Sequence, residues 1–183
     1  MIGTRNIARE IAMHLSYELS FTDLSAGELL DQRLSDQHFQ ALAPEYEVYG
    51  KLPGSGQRAY IRKLVQGVAD HGYELDRYIE KYAVGWKFER IPLVAAAIMR
   101  VAMYEILYMP DIPTAAAINE AVEITKKYES PDVVRFVNGI LGTFVRQEAP
   151  EAATPARTEA VPPETAEQPQ QKTEEASQPE AED

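Results

Sequence analysis

The side chains that could do chemistry are scattered in a way that argues against catalysis. His14, His38 and His71 stand far apart and share no metal-ligand spacing. No cysteine is present, which excludes disulfides and thiolate zinc sites. Glu120 and Glu123 lie one helical turn apart and could imitate a carboxylate pair. Glu123 with Lys127 instead reads as an i,i+4 pair on a solvated face. The stretch GKLPGSG at 50–56 has glycines but lacks the Gly-Lys-Ser/Thr ending of a phosphate loop, so it reads as a flexible connection. No catalytic residue, metal or cofactor is expected.

Two helical faces carry residues suited to binding. In the first helix, Ile7, Ala8, Ile11, Ala12, Leu15 and Leu19 form a core stripe, with Glu18 at its edge. Arg5, Arg9 and Ser16 project to the opposite side, and Met13 and Tyr17 continue that surface. Arginine contacts phosphate and an aromatic face can stack an unpaired base. A solvated outer face is the default for the same pattern. In the last helix, Val133, Val134, Val137, Ile140, Leu141, Phe144 and Val145 point inward. Arg135, Asn138, Gly139, Gly142, Thr143 and Arg146 form its outer face, with Phe136 at the edge. Two glycines inside a helix each cost roughly 1 kcal/mol relative to alanine. Such a face suits close approach of another molecule or of a neighbouring helix, and the spacing leaves both open.

These faces require helices to present them. The sequence predicts helices at about 4–20, 25–40, 57–71, 73–83, 91–109, 113–129 and 131–147, with no strand alternation. Pro113 and Pro131 suit first helical turns. Short connections and seven helices imply an all-α compact bundle. The 91–109 helix is apolar nearly all round and should be central. Its Arg100 and Glu105 point about 140° apart, so each requires a partner from another element. A Pro- and Gly-rich break falls at 44–56.

Composition sets further bounds. Net charge is −11 over 183 residues. Residues 150–183 hold nine acids and two bases, leaving the first 149 at −4. Any RNA binding would therefore have to come from a local patch. The tail contains half of the twelve prolines and no aromatic residue. The reading divides the chain into a folded domain at 1–148 and a disordered acidic tail at 149–183. No signal peptide or membrane span is evident, and a cytoplasmic protein is expected.

Four segments resemble the NusB family: MRVAMYEILY at Met99–Tyr108, IPTAAAINEAVEITKKY at Ile112–Tyr128, RFVNGIL at Arg135–Leu141, and ARE at Ala8–Glu10 followed by Tyr17. The resemblance spans roughly the first 147 residues. It implies an all-α, non-enzymatic transcription antitermination factor. Such proteins bind the boxA element of ribosomal RNA leaders, paired with the ribosomal protein that doubles as NusE. The pair joins an antitermination complex on RNA polymerase, and some members form homodimers. By position, the resemblance implies RNA-binding roles for Arg5, Arg9 and Tyr17, and for Asp132, Phe136 and Asn138.

The chain departs from that pattern at three places. Asn6 and Ile7 stand where other members often have cations, and the 44–56 insertion and acidic tail lie outside the common core. Two alternatives stay open. One is the RNA-binding domain of a ribosomal RNA cytosine methyltransferase, present as a fragment, because no βα pattern or Gly-rich cofactor loop follows Gln147. The other is a protein-interaction bundle without RNA binding.

Overall fold

The computed structural model describes residues 3–149, so the expected disorder of the acidic tail lies outside the described residues. Eight α-helices and no strand are found among them. They are α1 (Gly3–Glu18), α2 (Ala26–Arg33), α3 (Asp36–Leu42), α4 (Ser55–Asp70), α5 (Gly72–Tyr82), α6 (Leu93–Tyr108), α7 (Thr114–Tyr128) and α8 (Pro131–Glu148). Short 3₁₀ turns occur at Leu19–Phe21, Glu47–Tyr49 and Phe88–Arg90. No helix among the described residues is long and apolar enough to cross a membrane.

One expected helix is two. The 25–40 segment starts on a capping box: Ser25 Oγ accepts from Glu28 N, while the Glu28 carboxylate accepts from Ser25 N at 2.9 Å. It breaks at Leu34. Ser35 then caps α3 by accepting from His38 N and donates its hydroxyl to Gln32 O at 2.8 Å. Serine competes with the helix for its own backbone groups, and here that local bonding wins.

Helix α6 is central, as its all-round apolarity requires. Ala95–Met99 and Val101–Ile106 are buried, Glu105 included. It packs against α1, α4, α5, α7 and α8. Its small residues let neighbours come close, and Gly67 of α4 takes this furthest. A Cβ there would lie 1.9 Å from Cζ of Tyr104, inside the ring's van der Waals radius.

Both charges of α6 find partners from other helices. Arg100 Nε donates to Asp76 Oδ1 of α5 at 2.6 Å. Glu105 is paired with Arg9 of α1. This pairing corrects the sequence expectation for α1. Arg9, Met13 and Ser16 are buried, not on an outer surface. Of the expected stripe, Ala8, Ile11, Ala12 and Leu15 are buried while Ile7 is exposed, and α1 packs against α4, α6 and α7. A helix wrapped on three sides is poorly described by one stripe. Of the inward residues expected on α8, Val137, Ile140, Leu141, Phe144 and Val145 are buried, while Val133 and Val134 are half-buried.

Two other expectations are revised. Lys127 pairs with Glu10 at 2.6 Å, and Glu123 pairs with Lys126. The 44–56 segment is anchored rather than loose. Tyr49 and Pro53 are buried, and Arg58 Nη1 donates to Pro53 O at 2.9 Å.

Candidate nucleic-acid interface

Arg9 is held too firmly to serve as a free surface cation. Its Nε lies 2.9 Å from Glu105 Oε2 and its Nη2 3.0 Å from Glu105 Oε1. Tyr60 of α4 donates its hydroxyl to Glu105 Oε1, and its ring lies 5.9 Å from the guanidinium carbon. Burial works against the charged guanidinium. The hydrogen bonds and charge of Glu105, with help from Tyr60 and Glu120, outweigh it and hold the Arg9 pKa above its ordinary value. Burial, then Glu105, likewise pushes the Tyr60 hydroxyl up. This is a bidentate, nearly dry ion pair that ties α1, α4 and α6 together.

Arg5 is the exposed cation of α1. Twelve residues separate it from Tyr17, about 18 Å along a helix. Tyr17 therefore belongs to the far end of α1. Its ring is half-buried, 4.9 Å from that of Phe21. There it lines a cleft of about 390 Å³ with His14, Tyr46, Tyr49 and Tyr128. His14 is fixed by two tyrosines: Nδ1 lies 3.1 Å from the Tyr49 hydroxyl and Nε2 2.8 Å from that of Tyr128. Tyr128 donates onward to Glu10 Oε1 at 2.7 Å. Burial lowers the His14 pKa, Glu10 opposes, and Lys127 adds to the lowering. The sequence reading missed this chain, because its members come from α1, α7 and the 44–56 segment.

The last-helix candidates fall on two faces of α8. Asp132 is exposed and paired with Arg135. Phe136 is half-buried one turn on, its centroid 4.7 Å from that of Trp86. Asn138 is exposed, about 200° around the helix from Phe136. Among the described residues, no neighbouring helix sits on the glycines of this outer face. A Cβ at Gly139 would meet nothing within 4 Å, and one at Gly142 only the Arg146 side chain at 3.5 Å. Helices α1 and α8 share no extended packing, and α6 and α7 lie between them. The six candidate residues thus do not meet at a single point. Asp132 and Phe136 are together, while Arg5 and Tyr17 are apart.

The sequence reading also passed over Trp86, the chain's single tryptophan. Its signal was WKFER at 86–90, an aromatic-cationic run in a connection. No group of three His, Asp or Glu side chains that could hold a metal occurs among the described residues.

Comparison with known proteins places this geometry. The NusB family model matches residues 6–146. The transcription antitermination protein NusB of Ruminiclostridium cellulolyticum is 35% identical over 147 residues, covering 80% of this chain and 92% of the relative. The protein of the same name from Acetivibrio thermocellus is 39% identical over 142 residues, covering 78% and 88%. Among solved structures, T. maritima NusB matches with TM-score 0.61 at 26% identity, over 80% of this chain and 94% of that one. NusB from Aquifex aeolicus shares the fold with TM-score 0.59 at 24% identity, over 79% and 88%. The chain therefore belongs to the NusB family of transcription antitermination proteins, a family without enzymatic activity.

Proposed function

We propose that this protein binds boxA-type RNA of ribosomal RNA leaders together with NusE, in an antitermination complex on RNA polymerase in the cytoplasm, with residues 1–148 as the binding domain. The observation that carries this reading is the half-exposed Phe136 ring at the head of α8, one turn from Asp132, in a NusB-family chain. Phe136 offers a stacking face, Asp132 can accept hydrogen bonds from base amino groups, and Asn138 can both donate and accept. Arg5 supplies a phosphate contact at the other end of α1. Tyr17 contributes an aromatic edge of its cleft. Arg9 acts from the interior, holding α1 in place rather than touching RNA.

The chain spans 92% and 88% of the two relatives' lengths, which favours this reading over the methyltransferase-fragment alternative. A folded part at −4, with more than half of its cations paired to acids, favours weak RNA binding alone and tighter binding with NusE. A homodimer that covers the RNA face is a competing state of the same surface.

Phe136→Ala tests the assignment. Loss of a stacked base should cost on the order of 1–3 kcal/mol of RNA affinity. Melting temperature is measured on the same variant. A variant that melts lower but binds RNA as the parent does would remove Phe136 from the site. A parent protein that binds NusE but no RNA, with or without it, would support the protein-interaction alternative.

A further inference from the structure

Trp86 lies in the connection between α5 and the Phe88–Arg90 turn, and the residues that carry the family resemblance do not include it. Its position is set locally. Gly85 takes φ 84°, a conformation side-chain-bearing residues rarely adopt. Trp86 N then donates to Ala83 O at 2.9 Å, closing a tight turn. The turn lays the indole against Phe136 at 4.7 Å with an interplanar angle of 41°. Yet the indole is not consumed by that contact, because Trp86 remains 48% exposed. An indole serving only as an apolar brace would gain most by being covered.

The surroundings are cationic. Lys87 and Arg90 are both exposed, and neither forms a salt bridge among the described residues. Glu89 between them is the local acid, and Arg135 is engaged by Asp132 on the neighbouring turn of α8. An open aromatic step with two free cations beside it is the arrangement single-stranded nucleic acid uses, bases on rings and phosphates on cations. Resting on the RNA-binding reading above, we propose that Trp86 extends the Phe136 surface into a two-ring stacking step for unpaired bases, with Lys87 and Arg90 contacting the backbone.

The single tryptophan makes its own reporter. The full 183-residue chain is titrated with a single-stranded boxA RNA oligonucleotide, following selectively excited tryptophan emission and, in parallel, gel mobility. Quenching that saturates with the mobility shift is expected. Trp86→Phe, which keeps a ring, should bind close to the parent. Trp86→Leu, which keeps apolar bulk but cannot stack, should bind about tenfold more weakly without a lower melting temperature. Lys87→Ala/Arg90→Ala should flatten the salt dependence by roughly one phosphate contact per cation removed.

A mobility shift with unchanged emission and unchanged Trp86→Leu affinity would overturn the stacking step while leaving RNA binding intact. Equal losses in the Phe and Leu variants would show a shape-specific brace and overturn it too. Emission that responds to NusE but not to RNA would assign the patch to protein contact. Absence of any mobility shift, with and without NusE, would remove the RNA-binding reading itself and the stacking step with it.

Discussion

Glu105 has no access to water, so the energetics of the interior turn on whether its charge is matched. Removing one member of a buried, hydrogen-bonded ion pair costs about 3–5 kcal/mol, because the other charge is stranded. Arg9→Ala and Glu105→Ala are each expected to fall in that range by urea denaturation. The double variant should cost far less than the two singles combined, since no charge is then stranded. Simple additivity would show that the pair is not coupled. The Arg9→Ala protein, where folded, should bind RNA as the parent does. His14 sets a second test. Its folded pKa is depressed below the ordinary value of 6.5, chiefly by burial. Above that value both folded and unfolded chains hold a neutral ring, and the group contributes nothing. As pH falls through 6.5 the unfolded chain takes up the proton more readily, so stability is lost toward acid. His38, lowered by burial and by Arg33, works in the same direction. His14→Gln should therefore reduce the slope of unfolding free energy against pH just below 6.5. An unchanged slope would place the titration elsewhere.

Glycines separate packing from presentation at the scale of helices. At Gly67 the α4–α6 crossing leaves no room for a methyl group against Tyr104. Gly67→Ala should destabilise by at least the roughly 1–3 kcal/mol typical of overpacking, despite alanine's better helix propensity. Gly139→Ala should do the opposite and stabilise by about 0.5–1 kcal/mol, since nothing lies within 4 Å and only propensity changes. Thermal melts of the two variants check the contrast. These helices also show what the sequence could reveal. The all-round apolarity of 91–109 made α6 central and demanded partners for Arg100 and Glu105. It could not say that Arg9 was one of them, because pairing across 96 residues leaves no local trace. The periodicity of α1 suggested one buried stripe, whereas burial on three sides hides Arg9 and Ser16 as fully as leucine. The α2–α3 break was written in Ser35, but a single serine is a weak signal inside a helical run. For the candidate site, Phe136 and Asp132 were legible from RFVNGIL and its preceding turn. Trp86 offered only the aromatic-cationic run WKFER, since its meeting with Phe136 depends on how α5 returns to α6.

Taken whole, the molecule is an acidic chain placed in a family of transcription antitermination proteins. Net charge over the first 149 residues is −4, and many of its cations are engaged by acids: Arg9 by Glu105, Arg33 by Glu18, Arg100 by Asp76 and Lys127 by Glu10. A global field cannot recruit RNA, so the proposed affinity has to come from few phosphate contacts, aromatic stacking and the proposed partner protein. Each phosphate contact to a single strand contributes about 0.7 to the slope of log affinity against log salt. The central claim is tested most directly by a mobility-shift titration of boxA RNA against the full chain, with and without NusE, across a salt series. The account predicts weak binding by the protein alone with a slope of roughly 1–2, and distinctly tighter binding when NusE is added. Tight, steeply salt-dependent binding without NusE would contradict it, as would no RNA binding in either condition.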